Sequence, residues 1–150
     1  ANLDPSAPPS GMSNAQVISV ISEVSNYFNS QSAPTAAMDA NGLMALQTSM
    51  GLTANAPNGM SIFTTGKRSN GTSVAATCAN CHGLAAAGNG GVPRQGGQVA
   101  SRIFEALNDF LPNGSRATVP TMPGIVLGAG GTGLTNQDML DVAVYVNSLP

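Results

Sequence analysis

The chain has 150 residues and a formal net charge of -2, with 42% hydrophobic and only 8% charged residues. A typical soluble domain carries about 25% charged residues; so weak a field excludes nucleic acid as a partner. No apolar run approaches the roughly 20 residues a transmembrane helix requires. The chain starts at Ala1 rather than Met. An exported protein whose signal peptide has been removed would start this way, and so would a trimmed chain.

In chain order, "NLDPSAPPSG" comes first and its prolines predict an extended segment. From Ser13 to Asn29, Val17, Val20, Ile21, Val24, Tyr27 and Phe28 recur at helical spacing, with Ser13 or Asn14 as cap. A weaker helical pattern runs from Asp39 to Met50 through Leu43, Met44 and Leu46, and the linker "TANAP" follows. Residues 1–56 thus read as an extension made of an extended segment and a helical hairpin. Its apolar stripe is expected to pack on the domain that follows or on its own hairpin partner; self-association or a redox partner is the other use. The stripe lacks Lys and Arg, which disfavours a membrane surface.

The next helix is expected at "NGMSIFTTG", residues 58–66. Ile62 and Phe63 would point inward, Gly59 would admit a neighbouring helix closely, and Met60 would pack in the core. "TCANCHG", residues 77–83, then holds the only cysteines, Cys78 and Cys81, and the only histidine, His82. A disulfide here would close a tight, redox-active ring. A thioredoxin-like motif needs a βαβ setting that the flanking sequence lacks. A zinc site needs three or four protein ligands with suitable spacing, and these three residues are packed together without a second pair. The reading that fits is C-x-x-C-H, the attachment motif of one covalent haem c and its iron. Two thiols join the haem, and the adjacent imidazole reaches the iron from one face.

After the motif comes "GVPRQGG", with Pro93 eleven positions beyond His82. Arg94, Gln98 and Arg102 are the candidates for haem propionate partners. From Gly97 the apolar positions Val99, Ile103, Phe104, Leu107, Phe110 and Leu111 form one buried helical face, ended by Pro112 and Gly114. Among the seven methionines, Met139 fits a helical core stripe, whereas Met122 stands between Pro120 and Pro123. Two prolines preclude a regular helix there and stiffen the loop, so Met122 is the candidate sixth iron ligand, with Lys67 or an open position as the alternatives. "GAGGTG", residues 128–133, lacks the lysine and the strand of a phosphate loop and reads as a turn. Thr135 and Asp138 predict a capping box for a last helix whose inner stripe is Leu140, Val142, Ala143, Val146 and Leu149.

From about Pro57 to Pro150 these pieces, in this order, resemble a class I cytochrome c domain of the bacterial small-domain type. The resemblance implies an all-α class I cytochrome c fold over 57–150, preceded by the helical extension, which it does not cover. It implies that the Pro93 carbonyl accepts a hydrogen bond from the axial imidazole, and that Phe63 meets Tyr145 where the first and last helices cross. With His82 and Met122 as axial ligands the iron has no free position. The expected function is single-electron transfer between a redox protein donor and acceptor, not enzymatic catalysis, through a haem edge among Ala85, Ala86 and Met122. Two other readings stand beside it. One is a self-assembling extracellular electron conduit, motivated by the low charge; the other is a haem sensor or peroxidase with an open iron site. Covalent haem attachment, with the Ala1 start, leads to the expectation of a periplasmic or extracellular location.

Overall fold

The computed structural model describes residues 36–150 apart from 90, 91 and 119, and of residues 36–41 the backbone only. These residues all fall in one compact unit, Pro34–Pro150. The segment 2–11 and the helix expected over 13–29 lie outside the described residues. Among the described residues there are six helices and no strand, as an all-α chain requires. They are α1 (Ala36–Met50), α2 (Ala56–Thr65), α3 (Ala79–His82), α4 (Ala100–Asn108), α5 (Met122–Leu127) and α6 (Asn136–Asn147).

Local signals account for the helix ends. The side chain of Asn55 caps α2 by accepting from the Asn58 N–H at 3.2 Å, and Pro57 sits in the first turn, where its missing N–H costs nothing. Gly66, left-handed at φ 70°, closes α2 by donating to the Ile62 carbonyl at 3.0 Å. At α6 the Thr135–Asp138 capping box is present in both directions, with Asp in the place of the usual Glu or Gln. Helix α4 stops at Asn108, short of what its periodicity predicts. Phe110 and Leu111 instead enter tight turns, since Pro112 disfavours helical geometry in the residue before it.

The core sits where α2 crosses α6. Ile62 and Phe63 of α2 and Met139, Leu140, Val142, Ala143 and Val146 of α6 are all buried, with Ile103 and Phe104 of α4 against them. The rings of Phe63 and Tyr145 lie 5.6 Å apart at 57°, the tilted arrangement that adds about 1 kcal/mol beyond area burial. Backbones meet at Gly59, where a Cβ would overlap the carbonyl of Asp141. The buried Asp141 carboxylate accepts from Asn55 N–H at 2.7 Å, Asn58 Nδ2 at 2.7 Å and Gln137 Nε2 at 2.6 Å. Three donors offset the desolvation of that charge. Helix α1 lies against α4 and turns Leu43, Leu46 and Met50 onto the core.

Two expectations need correction. Met60 is 50% exposed rather than a core residue, because the inner face of α2 is taken by Gly59, Ile62 and Phe63. Met122 and Pro123 do not lie in a non-helical loop: they begin α5. Proline in the first helical turn breaks no intrahelical hydrogen bond, so Pro123 starts the helix that it would have broken further along.

The contact at Gly59 gives a direct prediction. Gly59→Ala should destabilise folding by about 3 kcal/mol, the upper part of the usual overpacking range, because the obstacle is backbone on both sides. Met60→Ala, one residue on, should stay within about 0.5 kcal/mol. Denaturant midpoints of the two variants measure the difference.

Candidate functional site

The motif residues occupy a single helical turn. Helix α3 is four residues long, with Cys78 as its N-cap and Cys81 and His82 on the turn itself. Cys81 N–H and His82 N–H both donate to the Cys78 carbonyl, at 3.2 and 3.0 Å, and hold the backbone of the two cysteines in one turn. Cys81 is exposed and Cys78 half-buried against the core. Burial pushes the Cys78 thiol up to about 11; a backbone hydrogen bond opposes the rise and Cys81 adds to it. Among the described residues, no three His, Cys, Asp or Glu side chains are placed to hold a metal ion together.

Beyond α3 the chain folds back on itself. Gly88 N–H donates to the His82 carbonyl at 2.9 Å, and the carbonyl of Ala86 accepts from both Gln95 and Gly96 N–H at 2.8 and 3.0 Å. Ala86 adopts φ 49°, a left-handed conformation uncommon for Ala, and is fully buried. Of the residues expected at an exposed edge, Ala86 is therefore excluded, while Ala85 is exposed; Leu84 beside it is 71% exposed. This fold-back brings Pro93 to the histidine. The Pro93 carbonyl lies 3.2 Å from His82 Nδ1. With the proton on Nδ1, the ring donates to Pro93 and keeps its Nε2 lone pair for a metal.

The other expected residues fall as follows. Met122 opens α5 and is half-buried against the core, and Val126, one turn on, is buried and anchors that helix. Arg94 is exposed, with Nε 3.4 Å from the Gly96 carbonyl. The Gln98 side chain is exposed, while its carbonyl accepts from Asn147 Nδ2 at 2.8 Å. Arg102 faces Glu105 on the outer surface of α4, at 3.2 Å. Sequence reasoning missed Arg68, which binds Asp138 at 2.9 Å and the Gly133 carbonyl at 2.7 Å, tying the segment before the motif to the start of α6. Its nearby contacts, to Thr72 and the Ser73 carbonyl, do not mark this role, because the partners that make the tie lie 65 and 70 residues away.

The cytochrome c family model matches residues 68–150, more than half of the chain. The chain belongs to the cytochrome c family. No curated protein and no solved structure matches it. Membership means a covalently bound haem c with its iron, and haem-based electron transfer with redox partners. No helix among the described residues is long and apolar enough to cross a membrane.

The donor set of this cytochrome fits that group. Two thiols stand one turn apart beside an imidazole that has one nitrogen engaged and one available. Leu107, Phe110, Leu111 and the Met122 thioether are incompletely buried around the same core that Cys78 touches. A large apolar ring system is the partner such side chains want.

The loop also makes a prediction. A Cβ at Gly88 (φ +77°) would overlap the Val92 carbonyl and come within 2.7 Å of Arg94 N and 2.8 Å of Pro93 C. Gly71 has a similar φ of +85° but open space around it. Gly71→Ala should cost about 1 kcal/mol, the backbone strain alone, and Gly88→Ala at least about 2 kcal/mol. Chemical denaturation of both variants checks the ordering.

Proposed function

We propose that this cytochrome carries single electrons on one haem c, tethered by Cys78 and Cys81, with His82 and Met122 as axial ligands. The observation that carries this reading is the 3.2 Å contact of His82 Nδ1 with the Pro93 carbonyl, on the turn that bears both cysteines. Bound haem iron supplies a ferric–ferrous couple. The two cysteines would tether the ring to α3. Pro93 fixes the imidazole tautomer and makes Nε2 the better donor. Met122, on a helix begun by Pro123, offers a soft thioether that favours ferrous iron. With His82 and Met122 both on the iron there would be no place for a substrate, and the chain would act as a carrier rather than an enzyme. Arg94 and Gln98 follow Pro93 and are the nearer propionate candidates; Arg102 would first have to leave Glu105.

Covalent attachment of haem takes place outside the cytoplasm in bacterial families of this type, and the proposed location is the periplasm or cell exterior. Donor and acceptor would dock on a surface almost without charge. Neither Ser69–Pro93 nor Ala117–Gln137 contains Asp, Glu, Lys or Arg. Association with a redox partner should then change less than about threefold between low and high salt, since steering by charge is weak. Stopped-flow rates over a salt series measure it.

The ligand assignment is tested by Met122→Ala. The intact protein should show the weak far-red band of Met-ligated ferric haem and bind no carbon monoxide when reduced. The variant should lose the band, bind carbon monoxide, and fall in potential by on the order of 0.1 V, a modest part of the roughly 0.8 V that axial ligands control. A band that survives in the variant would assign the thioether elsewhere. Carbon monoxide binding by the intact protein would favour the open-site reading.

A further inference from the structure

The end of α6 grips the loop that carries Pro93. Asn147 Nδ2 donates to the Gln98 carbonyl at 2.8 Å, and Gly97 N–H donates to the Val146 carbonyl at 3.2 Å. Gly96 is buried; a Cβ there would come within 2.9 Å of the Pro150 carbonyl and 2.5 Å of the Ala85 carbonyl. On its other side the loop is fastened to the segment after the motif by the two bonds to the Ala86 carbonyl. Between Pro93 and Gln98 lie Arg94, Gln95, Gly96 and Gly97. Two adjacent glycines give that stretch little stiffness of its own. Its position is therefore set by what holds it at each end: the Asn89–Val92 bridge and the Ala86 carbonyl on one side, and α6 through Asn147 and Val146 on the other.

We propose that Asn147 is a positioning residue for His82, acting through the loop: it holds the Pro93 carbonyl where the His82 Nδ1–H can donate to it. The inference rests on the reading of His82 as an axial ligand. Loosening the loop weakens the Nδ1–H bond, which makes the imidazole a poorer donor and ferric iron less well stabilised. Asn147 thus tunes the couple from a side chain that touches neither His82 nor Pro93; its contact is with the Gln98 backbone carbonyl.

The test uses the haem-loaded full chain. Asn147→Leu keeps the branched outline of the side chain and removes the donor, and Asn147→Ala is the second variant. Ser148→Ala is the control: it removes a bond from Ser148 Oγ to the Tyr145 carbonyl, inside the same helix end, without touching the loop. The readouts are hydrogen exchange of the His82 Nδ1 proton by NMR and the reduction potential. Both Asn147 variants should speed Nδ1–H exchange about fivefold, as loss of one hydrogen bond of ordinary strength would, and shift the potential positive. Ser148→Ala should move neither. If the Asn147 variants leave exchange and potential as in the parent, or if Ser148→Ala moves them equally, the inference is overturned. The ferric parent separates the two layers of the argument. If its His82 ring protons lack hyperfine shifts, the ligand assignment falls and this inference with it. Normal shifts with an unresponsive potential would overturn this inference alone.

Discussion

The contact of α2 with α6 is the constraint on which the rest of this cytochrome depends. Gly59 lets the backbone of one helix lie on the carbonyl of Asp141 in the other. Apolar burial around that point involves Ile62, Phe63, Leu140 and Val146, and drives the association. Direction comes from polar groups. The Asp141 carboxylate takes Gln137 from its own helix and depends for its other two donors on Asn55 and Asn58, at the start of α2. A slide or rotation of one helix on the other would strand a buried charge, which costs far more than a lost surface contact. The crossing is thus fixed in position as well as held together.

With α6 fixed, each of its ends holds one segment that carries a proposed ligand. At its start, Asp138 takes Arg68, and Leu134 N–H donates to the Val126 carbonyl at 2.8 Å, so α5 and Met122 are referred to α6. Ala75 N–H donates to the Thr132 carbonyl at 2.9 Å, which ties the approach to the motif to the same turn. At the far end, Val146 and Asn147 hold the Pro93 loop and, through it, the imidazole. His82 and Met122 are 40 residues apart in the chain, yet both are positioned from one helix. Preorganisation of this kind keeps reorganisation small when a single charge arrives or leaves.

Much of this was legible in the sequence where the signal is local. The five residues from Cys78 to His82 name their own chemistry, and Thr135 with Asp138 announces a helix start. The stripe of α6 is read from spacing alone, and the family resemblance supplied the Pro93 carbonyl and the Phe63–Tyr145 pair, both found in place. What was not legible depends on partners far along the chain. Arg68 reads as a surface cation until Asp138 and Gly133 are brought to it. Ala86 gives no hint of φ 49°, because the conformation is imposed by the Gln95 and Gly96 bonds rather than chosen by the residue. The prolines single out Met122 as a candidate, but the stretch they are expected to keep non-helical is a helix, since position within the first turn decides what a proline does.

The central claim is that the Cys78–His82 turn exists to hold a haem. Intact mass of the protein from a host able to attach haem, followed by mapping of the peptide that contains residues 78–82, tests it most directly. The account predicts a mass increase of one haem, carried by that peptide and retained under denaturing conditions, with both cysteines blocked to alkylation. Free, alkylatable Cys78 and Cys81 in protein without bound haem from such a host would contradict it.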